Sequence, residues 1–122
     1  MDKELLRKIR IETMQALYQY DMGNEVKIEN ADVKKVYDYY LENKDKIDSL
    51  ISSSLVNYTL NRLSYVDRAI VRNATSEMLI GLEPQIAINE ALEIVKIYSD
   101  EGDKKDVRFI NRVLDNIKTN IK

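Results

Sequence analysis

An all-α helical bundle is the fold class that this sequence predicts, and three observations carry the prediction. The 122 residues include only 3 Gly and 1 Pro, too few for the turn-rich connections of β architecture. Apolar residues recur at three- and four-residue steps in one segment after another, the spacing that lines one face of a helix. The breaks between these segments are short, as in helices packed side by side. About six to seven helices in one domain over residues 1–122 are expected, with no strand, internal repeat, low-complexity tract or dividing linker.

Taken in order, residues 4–22 read as a first helix on Leu6, Ile9, Thr13, Ala16, Leu17 and Tyr20, closed by Gly23 in a left-handed cap. A second helix covers 31–43 through Val33, Val36, Tyr37, Tyr40 and Leu41. A third runs over about 45–60 on Ile47, Leu50, Ile51, Leu55 and Tyr58. Ser64 with Asp67 three residues on is close to a capping box, so a fourth helix starts there and runs to about Leu79, with Gly81 past its end. Pro84 disfavours helix at Glu83, which makes "LEPQIAIN" a connection and Asn89 the N-cap of "EALEIVKIYS". "DEGD" breaks the chain again, and Asp103 is the expected cap of a last helix through Val107, Ile110, Val113, Leu114 and Ile117. Tyr37, Tyr40, Tyr58 and Tyr98 fall on apolar stripes, which predicts packing with an outward hydroxyl rather than base stacking.

With no Cys and no His, the chain lacks a thiolate nucleophile, an imidazole base, a disulfide and a soft-ligand zinc site. Its carboxylates, Lys and Tyr form no recognisable catalytic constellation or oxygen-rich loop, so neither enzyme activity, a metal nor a cofactor is expected. No apolar run approaches the ~20 residues of a membrane span. "MDKELLRKIRIE" mixes charges into its apolar positions, unlike a signal peptide, and a cytoplasmic address is the expectation. A net charge of -2 requires any nucleic-acid binding to use a local patch.

Two cationic rows offer such a patch. Lys3, Arg7, Arg10, Met14 and Tyr18 follow steps of four, three, four and four, one helix face expected to lie away from the apolar stripe, with Lys8 beside it. Cations with a ring at one end suit single-stranded RNA, where cations hold phosphates and a ring stacks on a base. The plain alternative is a solvated face, and Asp2, Glu4 and Glu12 set -3 against the +4 of Lys3, Arg7, Lys8 and Arg10. On the last helix Lys104, Arg108 and Arg112 stand at four-residue spacing, with Lys105 adjacent. The middle stretch "VDRAIVRNATSEML", residues 66–79, combines core spacing with Asp67, Arg68 and Arg72. Asp67 lies in a first turn, where the helix dipole favours a carboxylate. Arg72 is placed to pair with a carboxylate such as Glu77 or one on another helix.

Four stretches in order resemble the NusB family: "ETMQALYQYDMG", "NYTLNRLSYVDRAIVRNATSEML", "AINEALEIVK" and "RFINRVLDNI", with the likeness weakest over 23–46. The resemblance implies an all-helical fold of two small packed sub-bundles. It also implies a transcription antitermination factor that pairs with the ribosomal protein NusE, binds the boxA element of nascent ribosomal RNA transcripts, and joins the RNA polymerase elongation complex with other Nus factors. By the same resemblance Arg7, Lys8 and Arg10 match the arginine-rich start that meets boxA, and Tyr18 matches the tyrosine of "ALY". Asp67 would be an acidic contact to NusE, with Arg68 and Arg72 at the matching basic positions on that surface or inside the fold. Phe109 is a core anchor or a partner contact, and Lys104, Lys105 and Arg108 would add cations near the RNA. The chain departs from the family pattern at three places. It lacks consecutive arginines near the start, it has Lys105 and Asp106 where an acid and Ser are usual, and it has Arg112 in place of a glycine. The thinned arginine cluster keeps a second reading open, a NusB-like protein-interaction module with weak or no RNA binding. A NusB-like domain of an RNA cytosine methyltransferase is set aside, since that needs a following catalytic domain and the chain ends at Lys122.

Overall fold

The computed structural model describes residues 2–99, 102 and 104–121, and these form six α-helices and one 3₁₀ turn with no strand among them. The helices are α1 (Lys3–Asp21), α2 (Ala31–Glu42), α3 (Lys44–Ser54), α4 (Tyr65–Ile80), α5 (Pro84–Tyr98) and α6 (Lys105–Asn120), with the 3₁₀ turn at Leu60–Arg62 before α4. α4 contacts all five other helices. α1 and α2 pack on it as one sub-bundle, and α3, α5 and α6 build the other. Of the 16 residues of α4, eleven are buried, which is why its sequence carries apolar and polar residues all round.

Side chains close most of the helix starts. Asp2 accepts from the Leu5 N–H at 2.8 Å, and Asn30 from the N–H groups of Asp32 and Val33 at 2.8 and 3.3 Å. Ser64 Oγ accepts from the Asp67 N–H at 3.0 Å, the bond that the capping-box spacing predicts. Gly81 ends α4 at φ 124°, a conformation that a side chain would strain.

Two expected boundaries shift. α5 starts at Pro84 rather than at Asn89, because proline suits a first helical position and the Glu83 carboxylate accepts from the N–H groups of Gln85 and Ile86. Asn89 is therefore interior, with its side chain accepting from Gln85 Nε2 at 2.9 Å. α3 stops at Ser54, where the hydroxyls of Ser53 and Ser54 turn back to the Leu50 carbonyl and Asn57 adopts φ 54°. The expected cap Asp103 lies outside the described residues; α6 follows Lys104, itself left-handed at φ 63°.

The core draws Leu17, Tyr40, Ile47, Ile51, Ile70, Ile88, Ile94, Ile110, Leu114 and Ile117 together with almost no exposure. Tyr40 departs from the expected outward hydroxyl: the whole side chain is enclosed and its hydroxyl donates to Asp48 at 3.0 Å. Tyr98, expected to pack, is 44% exposed. No helix among the described residues is long and apolar enough to cross a membrane.

Candidate functional surfaces

The α1 row is rotated relative to its expected position. Arg10 and Met14 sit on the buried face with Thr13 and Leu17, so the five residues do not share an exposed face. The Arg10 guanidinium turns inward, donating from Nε to Glu77 Oε2 at 2.9 Å with Nη1 3.9 Å from Glu90 Oε1. Arg7 keeps 30% of its side chain exposed but is clasped by Glu90, with Nε on Oε1 at 3.2 Å and Nη2 on Oε2 at 3.1 Å. The Arg7 hydrogen bond holds the Glu90 carboxyl below its ordinary range against the opposing effect of burial. Burial dominates at Glu77 and raises its pKa, with Arg10 opposing. Lys3 and Lys8 remain exposed on α1. Tyr18 is half-buried and meets Tyr65 edge-on with centroids 6.2 Å apart.

At the start of α4, Asp67 is only 6% exposed. Its Oδ1 accepts from the Ser99 hydroxyl at 2.5 Å, and the same hydroxyl lies 2.5 Å from Asp106 Oδ2. Burial pushes the Asp67 carboxyl up to about 6, and Asp106 beside it adds to the rise. These groups line a recess of about 440 Å³ with Tyr58, Ser64, Lys105 and Phe109. Arg68 is buried, donating to Asp21 Oδ2 at 2.6 Å and to the Leu60 carbonyl at 3.3 Å, with its guanidinium 4.7 Å from the centre of the Tyr65 ring.

Arg72 is also internal. Glu77, one of the partners that the sequence suggested, is taken by Arg10, and Arg72 pairs instead with Asp48 through two hydrogen bonds of 3.1 and 3.0 Å and with Asp21 at 3.3 Å. Burial opposes its charge, and Asp48, Tyr40 and Asp21 outweigh that and raise its pKa. A side chain 7% exposed and spent on three elements offers a partner little surface, so the structure favours the internal alternative for Arg72.

Lys104, just before α6, and Lys105, Arg108 and Arg112 on it are all exposed. Lys104, Arg108 and Arg112 enter no ion pair among the described residues. Phe109 is half-buried with its ring 5.0 Å from Tyr58, and the Arg62 guanidinium lies 4.5 Å from the centre of the other ring. Arg62 and Tyr58 were not candidates from sequence, nor were the carboxylates Asp21, Asp48 and Glu90. "NEALE" in fact reads as exposed helix, whereas Glu90 is 9% exposed in the middle of α5. Only its place within an apolar run of α5 could have marked it.

Five helices around a buried central helix, with internal ion pairs and exposed cations at the start of α6, define a small helical-bundle protein. The chain belongs to the NusB family, whose model matches residues 7–119. It is 39% identical to the transcription antitermination protein NusB of Bacillus mycoides over 92% of this chain and 95% of that protein. Other relatives match over less of their length: a 50% identical stretch covers 52% of this chain and 29% of the NusB of Gloeothece citriformis. Among solved structures, T. maritima NusB superposes with a TM-score of 0.77 at 30% identity, covering 93% of this chain and 90% of that one. The complex of antitermination factors NusB and NusE with dsRNA has a chain that superposes at 0.79 and 26% identity, covering 97% of this chain and 98% of that one.

Proposed function

We propose that this chain is a transcription antitermination factor that binds boxA-type RNA of nascent ribosomal RNA transcripts as a heterodimer with ribosomal protein NusE, within the RNA polymerase elongation complex. The observation that carries the reading is the near end-to-end likeness to a chain from a complex containing NusE and dsRNA, on a family match over residues 7–119. In this reading the RNA backbone meets the exposed cations Lys3 and Lys8 of α1 and Lys104, Lys105 and Arg108 of α6, with Arg7 reached at the edge of its ion pair. Tyr18 is accessible enough to lie against a base. Asp67 and Phe109 line the recess before α4 on the NusE-facing side, while Arg10, Arg68 and Arg72 act through the fold by holding helices together.

The test is a titration of labelled boxA-like RNA, with and without NusE, at two salt concentrations. Three or four neutralised phosphates give a log–log salt slope of about -2 to -3 on a single strand. NusE is expected to tighten RNA binding, and RNA to tighten NusE binding by the same factor. The self-neutralised arginines of α1 favour one alternative, a protein-interaction module with weak RNA affinity. NusE binding without RNA binding in either salt would establish that alternative instead.

A further inference from the structure

The seam between α1 and α5 carries cations that are already answered. Arg7 is held by Glu90, Arg10 by Glu77, and Lys96 lies 3.2 Å from Glu93. Arg7, Glu90, Glu93 and Lys96 border an open cleft that Lys3, Asn89 and Leu92 also line. The edge of the Arg7 guanidinium that Glu90 occupies, Nε and Nη2, is the fork that a phosphate takes in a two-pronged contact. Arg7 is the outer member of the pair, its side chain 30% exposed against 12% for Glu90, so an anion approaching from solvent reaches the arginine first.

We propose that Glu90 sets the RNA affinity of the α1 face by occupying Arg7, so that a backbone phosphate gains this arginine only in competition with the Glu90 carboxylate. The inference rests on the RNA-binding reading above and deepens it. Glu90 does not touch RNA; it acts through Arg7. Its carboxylate stays ionised below the usual range, so it remains an effective competitor throughout the neutral region. Lys104 before α6 and Arg108 and Arg112 on it have no such competitor among the described residues, whereas α1 contributes less than its sequence suggests.

Glu90→Gln tests this, because it keeps the side-chain shape and removes the charge. Releasing one cation to a single-stranded phosphate steepens the log–log salt slope by about 0.7 and raises affinity about fivefold at 0.1 M salt. In the Glu90→Gln background, Arg7→Gln should abolish the gain. An unchanged affinity and slope in folded Glu90→Gln, with wild-type RNA binding intact and sensitive to Arg108→Glu, overturns the role of Glu90 and leaves the RNA reading standing. Absence of RNA binding by both proteins overturns both. Should Glu90→Gln not fold, the wild-type protein decides: the Arg7 Nε–Hε NMR resonance is expected to shift on addition of boxA-like RNA. A resonance that stays fixed while that of Arg108 moves makes the Arg7–Glu90 pair purely structural and overturns the proposal.

Discussion

Arg72 on α4 and Asp48 on α3 are joined by two parallel hydrogen bonds of 3.1 and 3.0 Å, and the enclosed Tyr40 of α2 donates its hydroxyl to the same carboxylate at 3.0 Å. With Asp21 at the end of α1 also 3.3 Å from the Arg72 guanidinium, one side chain ties four helices at the junction of the two sub-bundles. Arg72→Met leaves the Asp48 carboxylate without its cation, while Asp21 keeps Arg68. It is expected to lower unfolding free energy by about 3 kcal/mol, read from urea denaturation. A loss below about 1 kcal/mol would show that water replaces the arginine at little cost.

The recess before α4 makes stability depend on pH. The Asp67 carboxyl is raised from an ordinary 3.8 to about 6, chiefly by burial. The folded protein thus holds this proton more tightly than the unfolded chain. Its contribution is fully present below about pH 3.8 and is lost as pH rises through about 6. Asp67→Asn should therefore gain stability relative to wild type between pH 4 and pH 7. Denaturation midpoints of the two proteins across that range check this; parallel curves would mean that Asp67 ionises as in water.

Asn73 is 4% exposed, donates to the Arg10 carbonyl at a long 3.4 Å, and finds no partner for its own Oδ1 among the described residues. Leucine has the same branched skeleton without the polar atoms. Asn73→Leu is expected to stabilise the protein by about 1 kcal/mol, a rise in melting temperature of roughly 4 °C. A destabilised variant would indicate that the amide is better satisfied than its geometry implies.

Charge reversal separates the two arginine environments. The Arg10 position as seen in sequence suggests a surface cation whose reversal spares folding, and the structure corrects this. Arg10→Glu would bring a third carboxylate to Glu77 and Glu90 and should cost 3 kcal/mol or more, roughly. Arg108→Glu, on an exposed face, should stay within about 0.5 kcal/mol of wild type and weaken RNA binding about fivefold or more. Thermal melts alongside RNA titrations give both readings, and equal melting temperatures for the two variants would contradict the burial of Arg10.

The elements legible in advance are those specified by neighbours in sequence. The stripe of α6 through Ile110, Val113, Leu114 and Ile117, and the Ser64–Asp67 cap of α4, depend on spacings of three and four residues, and the structure contains both. The boundaries that moved involve two local signals in competition. Pro84 marks both a place where a helix cannot continue and one where it readily begins, and the Glu83 cap decides for the second.

The sequence by itself determined the all-α class, most helix cores, the family, and which residue types are available for chemistry. Tertiary structure alone decided which charges face outward. Arg7 meets Glu90 across 83 positions, Arg10 meets Glu77 across 67, Arg68 meets Asp21 across 47 and Arg72 meets Asp48 across 24. Helical periodicity reports the direction of a side chain relative to its own axis. Whether a carboxylate waits there depends on how another helix is packed, and an arginine's long stem reaches inward or outward accordingly. That is why α1 reads as an RNA-facing row in sequence, while the packing of α4 and α5 turns part of it into the fold's internal ion pairs.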